Sequence, residues 1–575
     1  MVSLEWTSPN KKSTPVHYQP PAYRMDNVND YEADTEFLKV WGPFQRRLSL
    51  LLCITMIPNG FASLTGVFVA DTPAHRCLVP THRLNLTEEW RNASIPLEED
   101  GRLAECSRYR LDALLTYSEA GLLPSDVNLT AVPREGCLDG WEYDRSVYTS
   151  TIVSEWDLVC GQQWKKPLTL SLYFCGFLVG SFLSGQLSDR FGRKVVLFAT
   201  IACQKLCVFL QVFSHSWMAF CVLQFLAGMS TISNYLAAFV LGAELLSAQV
   251  RLFFTTAGSC LFFALGYMLL PLHAYFLRDW RMLLLGINTP GFLLLTFWWF
   301  IPESPRWLIS QGRVAEAEDI VRRAAKTNKV EAPTKIFTPL QKDGLEKMKV
   351  YNICDLLRIR NMRWLSAVLW HVWSTIAMSY LALSLNTSNL HGDAYLNCFL
   401  SAAVEIPAYI TTWLIFRSCP RRLTMSGWLF SSGFFLLVIQ LIPADLHWLA
   451  VSVEMMGKFC LTAAFSHVYA YSVELYPTVL RNTAMGACSM GSRIGSILAP
   501  YIIYLRSYSP SLPYILMGIQ ITMASLLSLL LPESYRMPLL ETPADMQPFR
   551  GCCRKNVYQH ARTKEETQSK CMDVQ

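Results

Sequence analysis

About twelve stretches of this chain are apolar over the roughly 20 residues that a helix needs to cross a bilayer at 1.5 Å per residue. They run over Leu48–Ala70, Leu168–Leu187, Val195–Phe213, Met218–Leu245, Phe253–Phe276 and Met282–Ile301. The rest are Trp364–Leu385, Tyr395–Phe416, Leu423–Ile442, Leu446–Tyr471, Ala484–Tyr504 and Pro513–Leu531. Leu446–Tyr471, with Glu454 and Lys458, is the least clean of them. Backbone exposed to lipid has to satisfy its own hydrogen bonds, so the expected fold class is an all-α polytopic membrane protein. Composition closes off the alternatives. With 52% hydrophobic and 16% charged residues the chain cannot coat several soluble domains, and 13% aromatic residues exclude a disordered chain. A net charge of +6 is too small on 575 residues to indicate nucleic acid. The expected partners are a lipid bilayer and a small-molecule substrate.

Charge in the short loops sets the expected orientation. Arg46/Arg47, Arg190/Arg193/Lys194, Arg251, Arg417/Arg421/Arg422 and Arg481 fall on one face, and the short loops opposite near Ser214–Ser216, Thr387–Asp393 and Pro443–Asp445 have no Lys or Arg. The positive-inside rule then puts both termini in the cytoplasm, with Arg278 and Arg281 as the counterexample. The first 46 residues have no apolar core of signal-peptide type, so no cleaved presequence is expected. Segment 72–165 falls outside. It carries sequons at Asn85, Asn92 and Asn128 and four cysteines, Cys77, Cys106, Cys137 and Cys160, which fits a folded, glycosylated, disulfide-bonded extracellular loop. Four cysteines allow three pairings, and the sequence does not choose among them. A further sequon at Asn386 abuts a span.

The chain also repeats itself. Pro302-Glu303-Ser304-Pro305-Arg306 follows the sixth span and Pro532-Glu533-Ser534-Tyr535-Arg536 the twelfth (532 − 302 = 230). Glu244 and Arg251 close the fourth span as Glu474 and Arg481 close the tenth, at the same offset. Asp189-Arg190-Phe191-Gly192-Arg193-Lys194 has an eroded counterpart in Arg417–Arg422. Two six-helix halves of like orientation follow, the construction of carriers whose halves rock about a central site. The expected division is a cytoplasmic segment 1–47, a first half 48–302, a linker 303–363, a second half 364–531 and a tail 532–575. The acids and arginines at the cytoplasmic span ends are gate candidates, pairing within and between halves when the inner side closes.

Gly185–Lys194 resembles the loop signature of the major facilitator superfamily. Pro302–Gly312, Glu474–Arg481 and the long cysteine-bearing loop resemble solute carrier family 22. Ile232–Phe239, Asn389–Asp393 and Ser492–Tyr501 are similar to its organic cation/carnitine branch, and the likeness spans roughly Trp41 to Pro538. The resemblance implies the major facilitator fold and transport of carnitine or related quaternary ammonium compounds.

Charge inside a membrane helix marks function by default. Arg493 lies deep in the eleventh span, where a fixed guanidinium repels a simple cation and takes a carboxylate bidentately. The competing reading is a buried ion pair with Glu405 or Glu454. A quaternary ammonium needs an aromatic surround. Trp373 and Tyr380 share a helical face, and Tyr235 and Tyr469 occupy comparable places in the two halves. The resemblance implicates Tyr235 and Tyr469, and with them Asn234 and Gln211. It also links the region of Glu474 to sodium, for which Asn59, Tyr471 and Glu474 are the expected ligands. The expected function is a sodium-coupled plasma-membrane carrier of carnitine-like zwitterions. The alternatives are a sodium-independent carrier of organic cations, ergothioneine or anions, and a non-transporting receptor on the same scaffold. No nucleophile–base or metal constellation supports an enzyme. Gly242–Gln249 lacks the second Gly, the Lys and the hydroxyl of a phosphate loop. Cys552 and Cys553, beside Arg550, Arg554 and Lys555, suit S-palmitoylation.

Overall fold

The computed structural model describes residues 31–537 apart from 39–40, 81–86, 99–100, 248–249, 252–253, 255–257, 338–352, 391, 444 and 536. Ten of its helices are long and apolar enough to cross a membrane. Spans 1 to 6 are Pro43–Val69, Cys160–Phe191, Arg193–Val212, Trp217–Leu245, Ser259–Phe276 and Trp280–Trp299, and spans 7 to 10 are Arg360–Asn389, Ala394–Ser418, Arg421–Leu441 and His447–Leu475. Thr478–Tyr504 and the shorter Leu512–Ser528 are spans 11 and 12. Span 11 is less apolar than span 10. It carries two arginines and is rich in small residues, and those small residues bring it close to span 7. A Cβ on Gly495 would meet the Ser374 carbonyl, and one on Gly491 would lie 3.3 Å from that of Trp370.

Proline shapes several spans, because it removes a backbone donor and clashes with the preceding turn. Span 1 breaks between Pro43–Ile54 and Ile57–Leu64, ahead of Pro58, and span 8 breaks at Val404 ahead of Pro407. Span 6 passes from α-helix over Trp280–Asn288 to a 3₁₀ stretch over Thr289–Trp299 at Pro290.

The linker is not merely a tether. Pro305–Ser310 and Val314–Asn328 are helices that bury Trp307, Ile320 and Val321. Asn328 ties them to the start of span 1, accepting from the Phe44 N–H at 2.9 Å and donating to Gln45 at 2.9 Å.

On the opposite face the segment between spans 1 and 2 folds into a small cap. His75–Cys77 pairs antiparallel with Trp141–Tyr143, and Ser107–Tyr109 with Arg134–Gly136. Disulfides join Cys77 to Cys137 and Cys106 to Cys160. Buried Arg108 binds Glu135 at 2.8 Å and Asp139 at 2.6 Å. Burial, and then the Asp157 carboxylate that accepts from its hydroxyl at 2.9 Å, hold the Tyr143 phenol above its usual range. The two arginines that break the charge rule are cap anchors. Arg281 grips Glu155 through both terminal nitrogens (2.5 and 2.6 Å), and Arg278 donates to the Ser146 carbonyl at 3.3 Å. Asn92 and Asn128 are exposed on the cap; Asn85 lies outside the described residues, as do Arg536 and Cys552/Cys553.

Bonds that cross between the halves gather at the midplane and towards the cap face. Ser171 donates to the Ile497 carbonyl at 2.8 Å, Ser388 bonds Asp71 at 3.2 Å, and the hydroxyls of Tyr267 and Ser401 meet at 3.0 Å. Tyr395 of span 8 stacks on Phe68 of span 1, with centroids 5.4 Å apart, and donates to the cap's Val147 carbonyl.

Candidate functional site

Tyr469 in span 10 is 40% exposed, and Tyr235 in span 4 and Arg493 in span 11 are partly exposed. With the bonds between the halves gathered at the midplane and towards the cap, these exposed groups mark a cleft between the halves. These three groups, one from the first half and two from the second, are close enough to act on one another's charge. The Arg493 guanidinium stands 5.5 Å from the Phe177 ring of span 2, and its Nε has no hydrogen-bond partner.

The two acids considered as partners for Arg493 are engaged elsewhere. Glu405 lies 3.5 Å from the Lys458 ammonium and accepts from the Tyr380 hydroxyl at 2.6 Å. Lys458 also bonds Ser401. Glu454 accepts from Tyr514 at 2.8 Å. With no carboxylate paired to it among the described residues, the Arg493 guanidinium has its planar fork available to a solute carboxylate.

Aromatic rings form one contiguous wall beside it. Tyr469 packs edge-on to Trp373 (4.3 Å) and Phe465 (5.5 Å), and Phe465 stacks on Tyr380 at 5.5 Å. Two expected cage members need correcting. Trp373 is 0% exposed and donates its Nε1 to Ser472 at 3.0 Å, so it backs Tyr469 and does not face the cavity. Tyr380 has committed its hydroxyl to Glu405. Asn234 and Gln211 are buried within the first half, donating to Gln204 (3.0 Å) and Gln224 (2.6 Å). There they are helix–helix glue, since an unpaired amide in that interior is costly. Phe177 and Phe465 escaped the sequence reading, because aromatic residues in apolar spans give no signal of which face they occupy.

The expected sodium ligands do not converge. Tyr471 donates to the Pro532 carbonyl at 2.6 Å, and Glu474 holds Arg421 at 3.3 Å and Ser534 at 2.6 Å, all in the second half. Asn59 sits in span 1 of the first half, its Nδ2 3.5 Å from its own helix's Thr55 carbonyl and its Oδ1 unpaired.

Away from the cap, the repeated charged motifs form two matching clasps. In the first half Arg193 pairs with Glu244 at 3.1 Å and with Asp189 at 2.9 Å. Glu303 accepts the backbone N–H groups of Arg193 (3.0 Å), Lys194 (3.1 Å) and Ser304 (2.9 Å). In the second half Arg421 pairs with Glu474, and Glu533 accepts the N–H groups of Arg421 (2.8 Å) and Arg422 (3.2 Å). The acids thus pair with the arginine of the preceding loop and not with the one seven residues on, and each pair stays within one half. Arg251 and Arg481 instead reach back to the Leu246 and Tyr476 carbonyls, at 3.3 and 3.4 Å. Arg190 lies over the Phe191 ring and Arg306 over the Tyr31 ring.

Organic cation/carnitine transporter 2 of Homo sapiens is 52% identical over 94% of this chain and 98% of its own length. Solute carrier family 22 member 4 of Mus musculus is 52% identical over 92% of this chain and 97% of its own length. The chain is a member of solute carrier family 22. An organic cation transporter protein of Drosophila melanogaster matches this solute carrier at 36% identity over 90% of the chain and 95% of its own. The broader family described as sugar (and other) transporter matches residues 143–545. Among solved structures, the inward open xylose transporter XylE of E. coli superposes with a TM-score of 0.55 at 12% identity, covering 88% of this chain and 100% of that one. That likeness fixes the major facilitator fold. Membership of the family makes the protein a transporter of small molecules, not an enzyme.

Proposed function

We propose that this solute carrier moves carnitine and related quaternary ammonium zwitterions across the plasma membrane, with the cap outside, both termini in the cytoplasm and sodium as the coupling ion. The observation that carries the substrate reading is Arg493, a guanidinium with no carboxylate partner among the described residues, between the halves beside Tyr235 and Tyr469. A solute with a carboxylate at one end and a quaternary ammonium at the other meets both chemistries, since such an ammonium is held by ring faces and not by hydrogen bonds. The names of two of its relatives, one specifying organic cations and carnitine and the other organic cations, support the same class. The two charged clasps hold each half as a rigid body, so that opening and closing is a movement of one half against the other.

Sodium-independent uptake of organic cations is the second reading. It is favoured by the separation of Asn59 from Tyr471 and Glu474, whose side chains are engaged elsewhere. Uptake of labelled carnitine by cells expressing the chain, with external sodium or with N-methylglucamine, separates the two. Sodium-dependent carnitine uptake upholds the first, and uptake indifferent to sodium upholds the second. Absence of carnitine flux from a protein present at the surface removes the zwitterion assignment altogether.

A further inference from the structure

Span 3 carries a lysine that the transport reading leaves unused. Lys205 lies inside Arg193–Val212 and is 3% exposed, with no acid and no hydrogen-bond partner for its ammonium among the described residues. The fold makes deliberate room for it. Its stem crosses span 6 at Gly291, where a Cβ would run into the lysine Cε, and Asn288 of the same span donates to the Lys205 carbonyl at 2.9 Å.

The lysine borders a cavity of about 40 Å³ inside the first half, separate from the cleft at Arg493 and walled by spans 1, 2, 3, 4 and 6. Its polar lining is already short of negative charge. Gln204 donates to Thr231 at 2.7 Å, and its Oε1 takes the Asn234 amide. Thr231 also receives the Tyr173 hydroxyl at 3.2 Å. The Gln224 oxygen takes Gln211 at 2.6 Å, its NH2 has no partner among the described residues, and Gln224 lines the cavity. The other acceptors on the cavity, Asn288 Oδ1 and the Thr65 and Thr169 hydroxyl oxygens, are neutral and cannot balance an ammonium in a low-dielectric interior.

We propose that this cavity is a halide site, in which a chloride ion lies against the Lys205 ammonium with the Gln224 amide as its second donor. Size fits the assignment. A single water needs roughly 10–15 Å³ by the same kind of measure, so the space suits a monatomic ion with a water and excludes a bulky zwitterion.

The test is thermal melting of the purified full chain in sodium chloride against sodium gluconate at equal ionic strength. The expected result is a saturable rise in Tm of several degrees with chloride, lost in Lys205→Gln and Lys205→Met. Equal melting of the unaltered protein in the two salts, or a chloride shift that survives in both variants, overturns the proposal. Should the variants not fold, bromide-soaked crystals of the unaltered protein decide it: an anomalous peak beside Lys205 Nζ supports the site, and an empty or water-filled cavity rejects it. Sodium is constant and no transported solute is present, so the outcome does not depend on what Arg493 recognises.

Discussion

Glu405 of span 8 places its carboxylate 3.5 Å from the Lys458 ammonium of span 10, and the two side chains are 0% and 1% exposed. Each charge is tolerable only because of the other. Removing one partner of such a pair costs about 3–5 kcal/mol, whereas replacing both by neutral groups is often close to neutral. Lys458→Met is therefore expected to lower the melting temperature of the purified carrier sharply. Lys458→Met combined with Glu405→Gln, which keeps an acceptor for Tyr380, is expected to recover most of it. A double variant as unstable as the single one would show that the pair contributes through something other than mutual neutralisation.

That pairing is what leaves Arg493 free. A hydrogen bond to a charged group contributes about 1.5–3 kcal/mol, or roughly 10–100-fold in affinity. Arg493→Ala is expected to cut carnitine uptake by at least that factor with surface expression intact. Choline has the same ammonium and no carboxylate, so its uptake should hold or rise, because a repelling cation has been removed. Parallel uptake assays read both. Equal loss for the two solutes would mean that Arg493 supports the fold and does not read the carboxylate.

How far the sequence could be read depended on whether charge or ring orientation carried the information. The spans, the duplication and the clasp residues were legible, since lipid thickness and the repeated Glu303 and Glu533 motifs leave a linear imprint. Arg493 was legible for the same reason, as a charge where none is cheap. The orientation of Trp373, Asn234 and Gln211 was not, because each sits on a helix that is apolar nearly all round. Which face meets the cleft is set by contacts with distant spans, such as Ser472 to Trp373. The partner of Glu244 was hidden too: Arg193 lies on another span, and only the fold brings it nearer than Arg251.

The clasps themselves differ in one revealing position. Gly192 has φ +102°, and a Cβ there would lie 2.5 Å from the Glu303 carboxylate. Its counterpart Pro420 has φ −59°. A non-glycine residue held in so sparse a region costs on the order of 1–3 kcal/mol. Gly192→Ala is expected to loosen the first clasp, lowering both melting temperature and uptake rate, while Pro420→Ala leaves both nearly unchanged. Comparable losses from the two variants would count against a strained first clasp.

The side on which the cap lies can be read from its sugars. Asn128 is exposed, and its Oδ1 accepts from the Thr130 hydroxyl at 2.6 Å and N–H at 3.2 Å, which turns the amide nitrogen outward for a glycosyl transferase. Asn92 is exposed at the end of the short helix Glu88–Asn92. Glycosidase digestion of the protein from mammalian cells is therefore expected to shift its mobility on a gel. Asn92→Gln and Asn128→Gln should each remove one step of that shift. A protein whose mobility ignores the enzyme, in cells that glycosylate a control carrier, places the cap in the cytoplasm. The charged loops would then face outward, against the arginine bias of Arg46/Arg47, Arg193 and Arg421/Arg422.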